Sequence, residues 1–123
     1  MAAILKSIAR IFRRKPVKPK RGQYVVLVLK ATKGNAIIVV KRSSYPLTPK
    51  GFDDAQHAAW ESAIWVHEEL SDTLGESPFN PDELEDYGED EMIQGICEDA
   101  LSGKMILNNY AVLIQVDAHA TRD

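Results

Sequence analysis

"QYVVLVLK" (residues 23–30) and "AIIVVKR" (36–42), joined by "ATKGN" (31–35), decide the fold. Both are dense in β-branched residues, and they flank a short stretch holding Gly34 and Asn35, the pattern of a β-hairpin. Neither alternates between apolar and polar. Tyr24 to Leu29 are apolar without interruption, and so are Ala36 to Val40. Successive residues of a strand point to opposite faces, so an unbroken apolar run makes both faces apolar. A sheet built on this hairpin has two faces to cover.

Working outward, "SSYPLTPKG" (43–51) reads as a loop, and a long helix is predicted over 52–74. Phe52, Ala55, Ala59, Ala63, Val66, Leu70 and Leu74 recur at helical spacing and form one stripe. Trp60 and His67 flank it, while Asp54, Glu61, Glu68 and Asp72 lie opposite. Gly75 is a natural stop. Asn80-Pro81 has the form of an N-cap followed by proline, opening a short helix to about residue 86. A further helix over 89–101 gathers Met92, Ile93, Ile96, Cys97, Ala100 and Leu101. "KMILNNYAVLIQVD" (104–117) is predicted as one strand, with Asn108-Asn109 marking a bulge or a tight turn.

Upstream, residues 3–14 ("AILKSIARIFRR") form an amphipathic helix pattern: Ile4, Leu5, Ile8, Ile11 and Phe12 against Lys6, Ser7, Arg10, Arg13 and Arg14. Pro16 stops it, and "KPVKPKRG" (15–22) reads as an extended basic linker. The expected fold class is therefore α+β: a small antiparallel sheet, made of a β-hairpin plus a C-terminal strand, with a long helix packed on one face and the order α-β-β-α-α-α-β. Residues 1–22 form a basic N-terminal element, 23–117 a single α+β domain, and 118–123 a frayed tail. The N-terminal helix covers part of the second sheet face. A second copy of the chain covers the rest, which makes a homo-oligomer, most simply a dimer, the expected assembly.

Charge is divided along the chain. Residues 1–52 hold thirteen of the fifteen Lys and Arg and no acid, whereas all eighteen Asp and Glu fall in 53–123, so a net charge of −3 conceals two opposed halves. Such a layout points to charged partners or to interaction between the halves. No apolar run approaches the roughly 20 residues of a membrane-spanning helix. The single Cys97 forms no internal disulfide, and a reducing, cytoplasmic setting is expected.

Motifs for catalysis are missing. His57 and His67 are about 280° apart around a helix and do not share a site. His57 with Glu61 and Glu68 would make a weak metal cluster, set against the three or four dedicated ligands of a zinc site. Cys97 lies in an apolar stripe and reads as a small buried hydrophobe. Nucleophile-elbow, phosphate-loop, dinucleotide and metalloprotease motifs are absent. In "DELEDYGEDE" (82–91) seven of ten residues are acidic, and none is set apart by an apolar setting that would make it an acid catalyst. A non-enzymatic protein without cofactor or metal is expected.

The candidate binding surface is the acidic one: Asp54, Glu61, Glu68, Glu69 and Asp72 on the long helix, then Asp82, Glu83, Glu85, Asp86, Glu89, Asp90 and Glu91. Carboxylates held on helices make a directional negative field that steers a basic protein surface, including one built to grip phosphates. Trp65 lies about 220° from the apolar stripe, among these acids. It is either covered by the 76–103 segment or an anchor for a partner, a role that favours Trp. The leading expectation is a binding module, regulator or inhibitor that docks a basic partner through this face. A nucleic-acid-binding reading uses Arg10, Arg13, Arg14, Lys15, Lys18, Lys20 and Arg21 on phosphates, with Lys30, Lys33, Lys41 and Arg42 of the hairpin. A third makes the chain a structural subunit whose basic arm reaches a neighbouring copy. A membrane-surface helix ranks below a helix docked on the sheet, because the chain's own excess of acids repels anionic lipid as it does nucleic acid, and a mitochondrial presequence is set back by a shortage of Ser. In size and charge layout the chain is similar to accessory proteins of phages and mobile elements, an analogy of composition alone.

Overall fold

The structure, a computed structural model, describes residues 22–118. Its order is β1 (Gln23–Ala31), β2 (Ile37–Pro46), α1 (Pro49–Leu74), α2 (Pro81–Tyr87), α3 (Glu89–Leu101), β3 (Lys104–Leu107) and β4 (Tyr110–Asp117). The four strands form one antiparallel sheet in the order β2-β1-β4-β3. The α+β class stands, and the long helix lies on one face of the sheet.

Three particulars differ from the sequence expectation. The N-terminal helix at 3–14 and the basic residues Arg10 to Arg21 lie outside the described residues, so the described order begins with strands. Residues 43–46, expected in a loop, continue β2, because β1 is long enough to pair with β2 from Gln23↔Pro46 to Ala31↔Ile37. The single strand expected at 104–117 is two. Asn108, at φ 52°, turns the chain between them, and the Asn109 side chain donates to the Ala31 carbonyl at 3.0 Å. The tolerance of Asn for left-handed backbone makes a turn the outcome here.

Turns and caps follow local chemistry. Gly34 (φ 83°) and Asn35 (φ 67°) reverse the chain between β1 and β2. Thr48 caps α1 by accepting the Gly51 N–H at 2.9 Å, with Pro49 in the first turn. Gly51 is demanded by space, since a Cβ there would overlap the Pro46 carbonyl. Asn80 accepts from the Asp82 N–H at 2.8 Å and caps α2.

The core lies between one sheet face and the helices. Val26 and Val28 of β1, Met105 and Leu107 of β3, and Tyr110 and Val112 of β4 meet Ala55, Ala59, Ala63, Val66 and Leu70 of α1 and Ile96, Cys97 and Ala100 of α3. Three alanines with no exposed surface let α1 lie close to its neighbours. Phe52 and Leu74, the two ends of the expected stripe, remain exposed. A bulge at Val28/Leu29 leaves Val40 as the extra residue of β2, and Val40 packs against the core.

The opposite face of the sheet carries the other half of each apolar run. By register, Val25, which is buried, and Leu27, Leu29, Val39, Ile37, Ala111, Leu113 and Ile106 share it with Arg42, Ser44, Gln115 and Lys104. Ile37 (68% exposed), Val39 (56%) and Ile106 (60%) stand open on it. The expectation that both sheet faces are apolar thus describes the strands as built.

Candidate acidic recognition face

The helical layer is rich in carboxylates and free of Lys and Arg from Asp53 to Gly103, a stretch that contains sixteen Asp and Glu. Glu61, Glu68 and Asp72 of α1 are exposed, as are Asp82, Glu83, Glu85 and Asp86 of α2 and Glu89, Asp90 and Glu91 of α3. Asp54 and Glu69 are half-buried. Helical spacing puts Glu61, Glu68 and Asp72 in one row, over about 16 Å of helix.

Among the described residues, few cations meet these groups. Among the described residues, Lys50 Nζ to Asp54 Oδ2 at 3.1 Å is the only contact between a lysine or arginine and a carboxylate of this layer. His57 Nε2 lies 3.3 Å from Glu61 Oε2 with both side chains exposed. His67 Nε2 lies 3.5 Å from Glu89 Oε2 but makes no hydrogen bond, and its ring stacks on Phe79 at 5.2 Å. The acids fall into two kinds. Asp82 and Glu83 open α2, and Glu89, Asp90 and Glu91 open α3, where they answer the helix dipole. Glu61, Glu68 and Asp72, midway along α1 or near its C-terminus, have no such task. At a C-terminus the dipole disfavours a carboxylate, so Asp72 costs stability where it stands.

Trp65 does not belong to this face. It packs partly buried against the core, edge-on to Tyr110 at 6.1 Å, with Lys41 Nζ 4.3 Å from its ring centroid. Sheet residues cover it rather than the 76–103 segment, and the long reach of an indole from the flank of α1 explains why angle alone put it among the acids. Asp53, Glu76, Glu98 and Asp99 are exposed members of the layer that the sequence reading left out. Their signal was available, since residues 53–103 are free of Lys and Arg throughout.

The hairpin cations do not form one patch. Lys30 and Lys41 lie over the rings of Tyr110 and Trp65 on the helical side, Arg42 belongs to the opposite face, and Lys33 sits in the turn. Cys97 is buried, and its thiol donates to the Trp60 carbonyl at 3.9 Å. Burial, and after it the charge of Glu98, push its pKa up, away from the thiolate a nucleophile needs. Among the described residues no helix is long and apolar enough to cross a membrane. Searches against protein-family models, curated proteins and solved structures find no match to the chain.

Proposed function

We propose that this protein is a non-enzymatic binding module, a regulator or inhibitor that docks a basic protein surface through its helical layer. One observation carries the reading: sixteen carboxylates lie in a stretch without Lys or Arg, and a single one of them is paired with a lysine among the described residues. Keeping so many like charges on one layer opposes folding through self-repulsion. A basic partner relieves that repulsion when it binds, and the field speeds its approach. Carboxylates spaced along helices offer such a partner what a phosphate backbone offers, so a nucleic-acid-binding face is a suitable target. The row Glu61, Glu68 and Asp72 is the centre of the site.

The test is capture of basic proteins by the full chain at rising salt, beside the triple variant Glu61→Lys, Glu68→Lys and Asp72→Lys. The expected outcome is a partner released by salt, with at least a tenfold loss of affinity in the triple variant and an unchanged circular dichroism spectrum. Capture indifferent to both salt and the substitutions would refute the reading. Tight binding of DNA or RNA by the full chain would replace it with the nucleic-acid alternative.

A further inference from the structure

The sheet face turned away from the helices is the largest feature the acidic site leaves unexplained. Leu27, Leu29 and Leu113 are half-buried at its centre, and Ile37, Val39 and Ile106 are exposed around them. At its Ala31 end Leu29, Ile37, Ile106 and Ala111 line a shallow apolar groove. A patch of this kind on a monomer marks a binding surface. We propose that its occupant is this chain's own residues 3–14, folded as an amphipathic helix that lays Ile4, Leu5, Ile8, Ile11 and Phe12 on the sheet.

Where the chain enters the sheet favours this occupant. Gly22 leads directly into β1, an interior strand of the order β2-β1-β4-β3, so the preceding segment arrives at the middle of the sheet rather than at an edge. On the helical side the ground is taken by α1, whose Gly51 lies against Pro46 at that same end. Residues 15–21 span at most about 24 Å when extended. That reach brings residue 14 anywhere over β1 from Val25 to Leu29, since Leu29 is about 23 Å along the strand from Gly22. A twelve-residue helix is about 18 Å long, against a four-stranded sheet about 14 Å across. The stripe from Ile4 to Phe12, about 12 Å long, therefore fits within the width of the sheet.

Charge selects between this occupant and a second copy. Arg42 and Lys104 share the open face, and the seven Lys and Arg of residues 10–21 precede it in the chain. Two copies meeting through these faces would bring like charges together, which is costly at an interface. The chain's own helix lessens this, because its apolar stripe meets the sheet while Lys6, Arg10, Arg13 and Arg14 turn outward, and only one set of linker cations lies near Arg42 and Lys104. The tether also keeps the segment at high local concentration, with no dependence on protein concentration.

The experiment uses the full chain with a nitroxide spin label on Ser7→Cys, on the polar side of the helix, and with Cys97→Ala to leave one thiol. Backbone amide signals of Leu27, Leu29 and Leu113 are expected to lose intensity, while those of Ala59 and Ala63 in α1 do not. Adding Ile8→Asp should restore the signals, and Arg10→Ser should leave them broadened, which separates stripe from charge. Amide dispersion of the core residues reports that each variant is folded. A sample mixing spin-labelled, isotope-silent chains with unlabelled, isotope-enriched chains should show no broadening. Broadening in that mixture would overturn the proposal in favour of a second copy. Broadening that arises only with vesicles of anionic phospholipid would overturn it in favour of a lipid surface, and none in any sample would show that the segment does not dock there.

Discussion

Cys97 and His67 show what burial does to single groups. The Cys97 thiol is 1% exposed, and burial raises its pKa from an ordinary 9.0. A thiol reagent at pH 8 is expected to leave Cys97 intact in the folded protein and to modify it once denaturant is added. The raised folded pKa means the unfolded chain ionises first. Stability is therefore whole below the ordinary thiol range and falls as pH rises through it, and Cys97→Ala should flatten that alkaline slope. His67 stacks its ring on Phe79 and leaves Nε2 without a hydrogen bond, and the Ser71 hydroxyl, four residues on, is also unpaired. Removing an unsatisfied buried polar atom costs little. His67→Leu is therefore expected to leave the melting temperature unchanged or raised, whereas Phe79→Ala should lower stability by about 3 kcal/mol. Neither the stacking of His67 on Phe79 nor its approach to Glu89 was visible in the sequence, because each partner lies beyond the end of the helix that carries His67.

At the scale of elements, α1 and the hairpin were legible because their periodicities differ. The alanines at 55, 59 and 63 repeat at four residues, and the apolar residues of β1 run without a break from Tyr24 to Leu29. Those alanines also set a distance. With no exposed surface at any of the three, a larger side chain has no free volume to enter. Ala59→Leu is expected to cost about 1–3 kcal/mol, measured as a lower midpoint in urea with an unchanged slope. Boundaries were less legible. Ser43, Ser44 and Pro46 carry loop composition but lie in β2, because an edge strand needs only pair with β1 on one side and polar residues are tolerated there. The Asn108-Asn109 pair allowed a bulge or a turn by its own chemistry. The choice fell to pairing, since β4 runs beside β1 and the turn residue Asn109 is held by Ala31.

The described residues pack an acidic helical layer on one face of the sheet, whose own cations are divided between Lys30 and Lys41 on that face and Arg42 and Lys104 on the other. Repulsion within the acidic layer is long-ranged and exposed, so salt screens it. Raising sodium chloride from about 0.01 M to about 1 M is expected to raise the melting temperature of the full chain, since the screening length shrinks from about 30 Å to about 3 Å. A melting temperature that falls over the same range would mean the carboxylates are mostly paired. Salt should at the same time weaken capture of a basic partner, so the two readouts move in opposite directions.

Composition and order along the chain were enough to establish the α+β class, the two-sided sheet, the acid-rich helical half and the lack of recognisable catalytic motifs. Those properties depend on periodicity and on charge counts, and both are local. Which strands neighbour one another, which side of the sheet the helices take and what covers Trp65 were settled by tertiary packing. Each of these depends on contacts between residues far apart in the chain, and side-chain reach, such as that of Lys41 over the indole, has no signature in spacing. The described helices cover one side of the sheet, and the other apolar face is a consequence of topology acting on strands that are apolar on both.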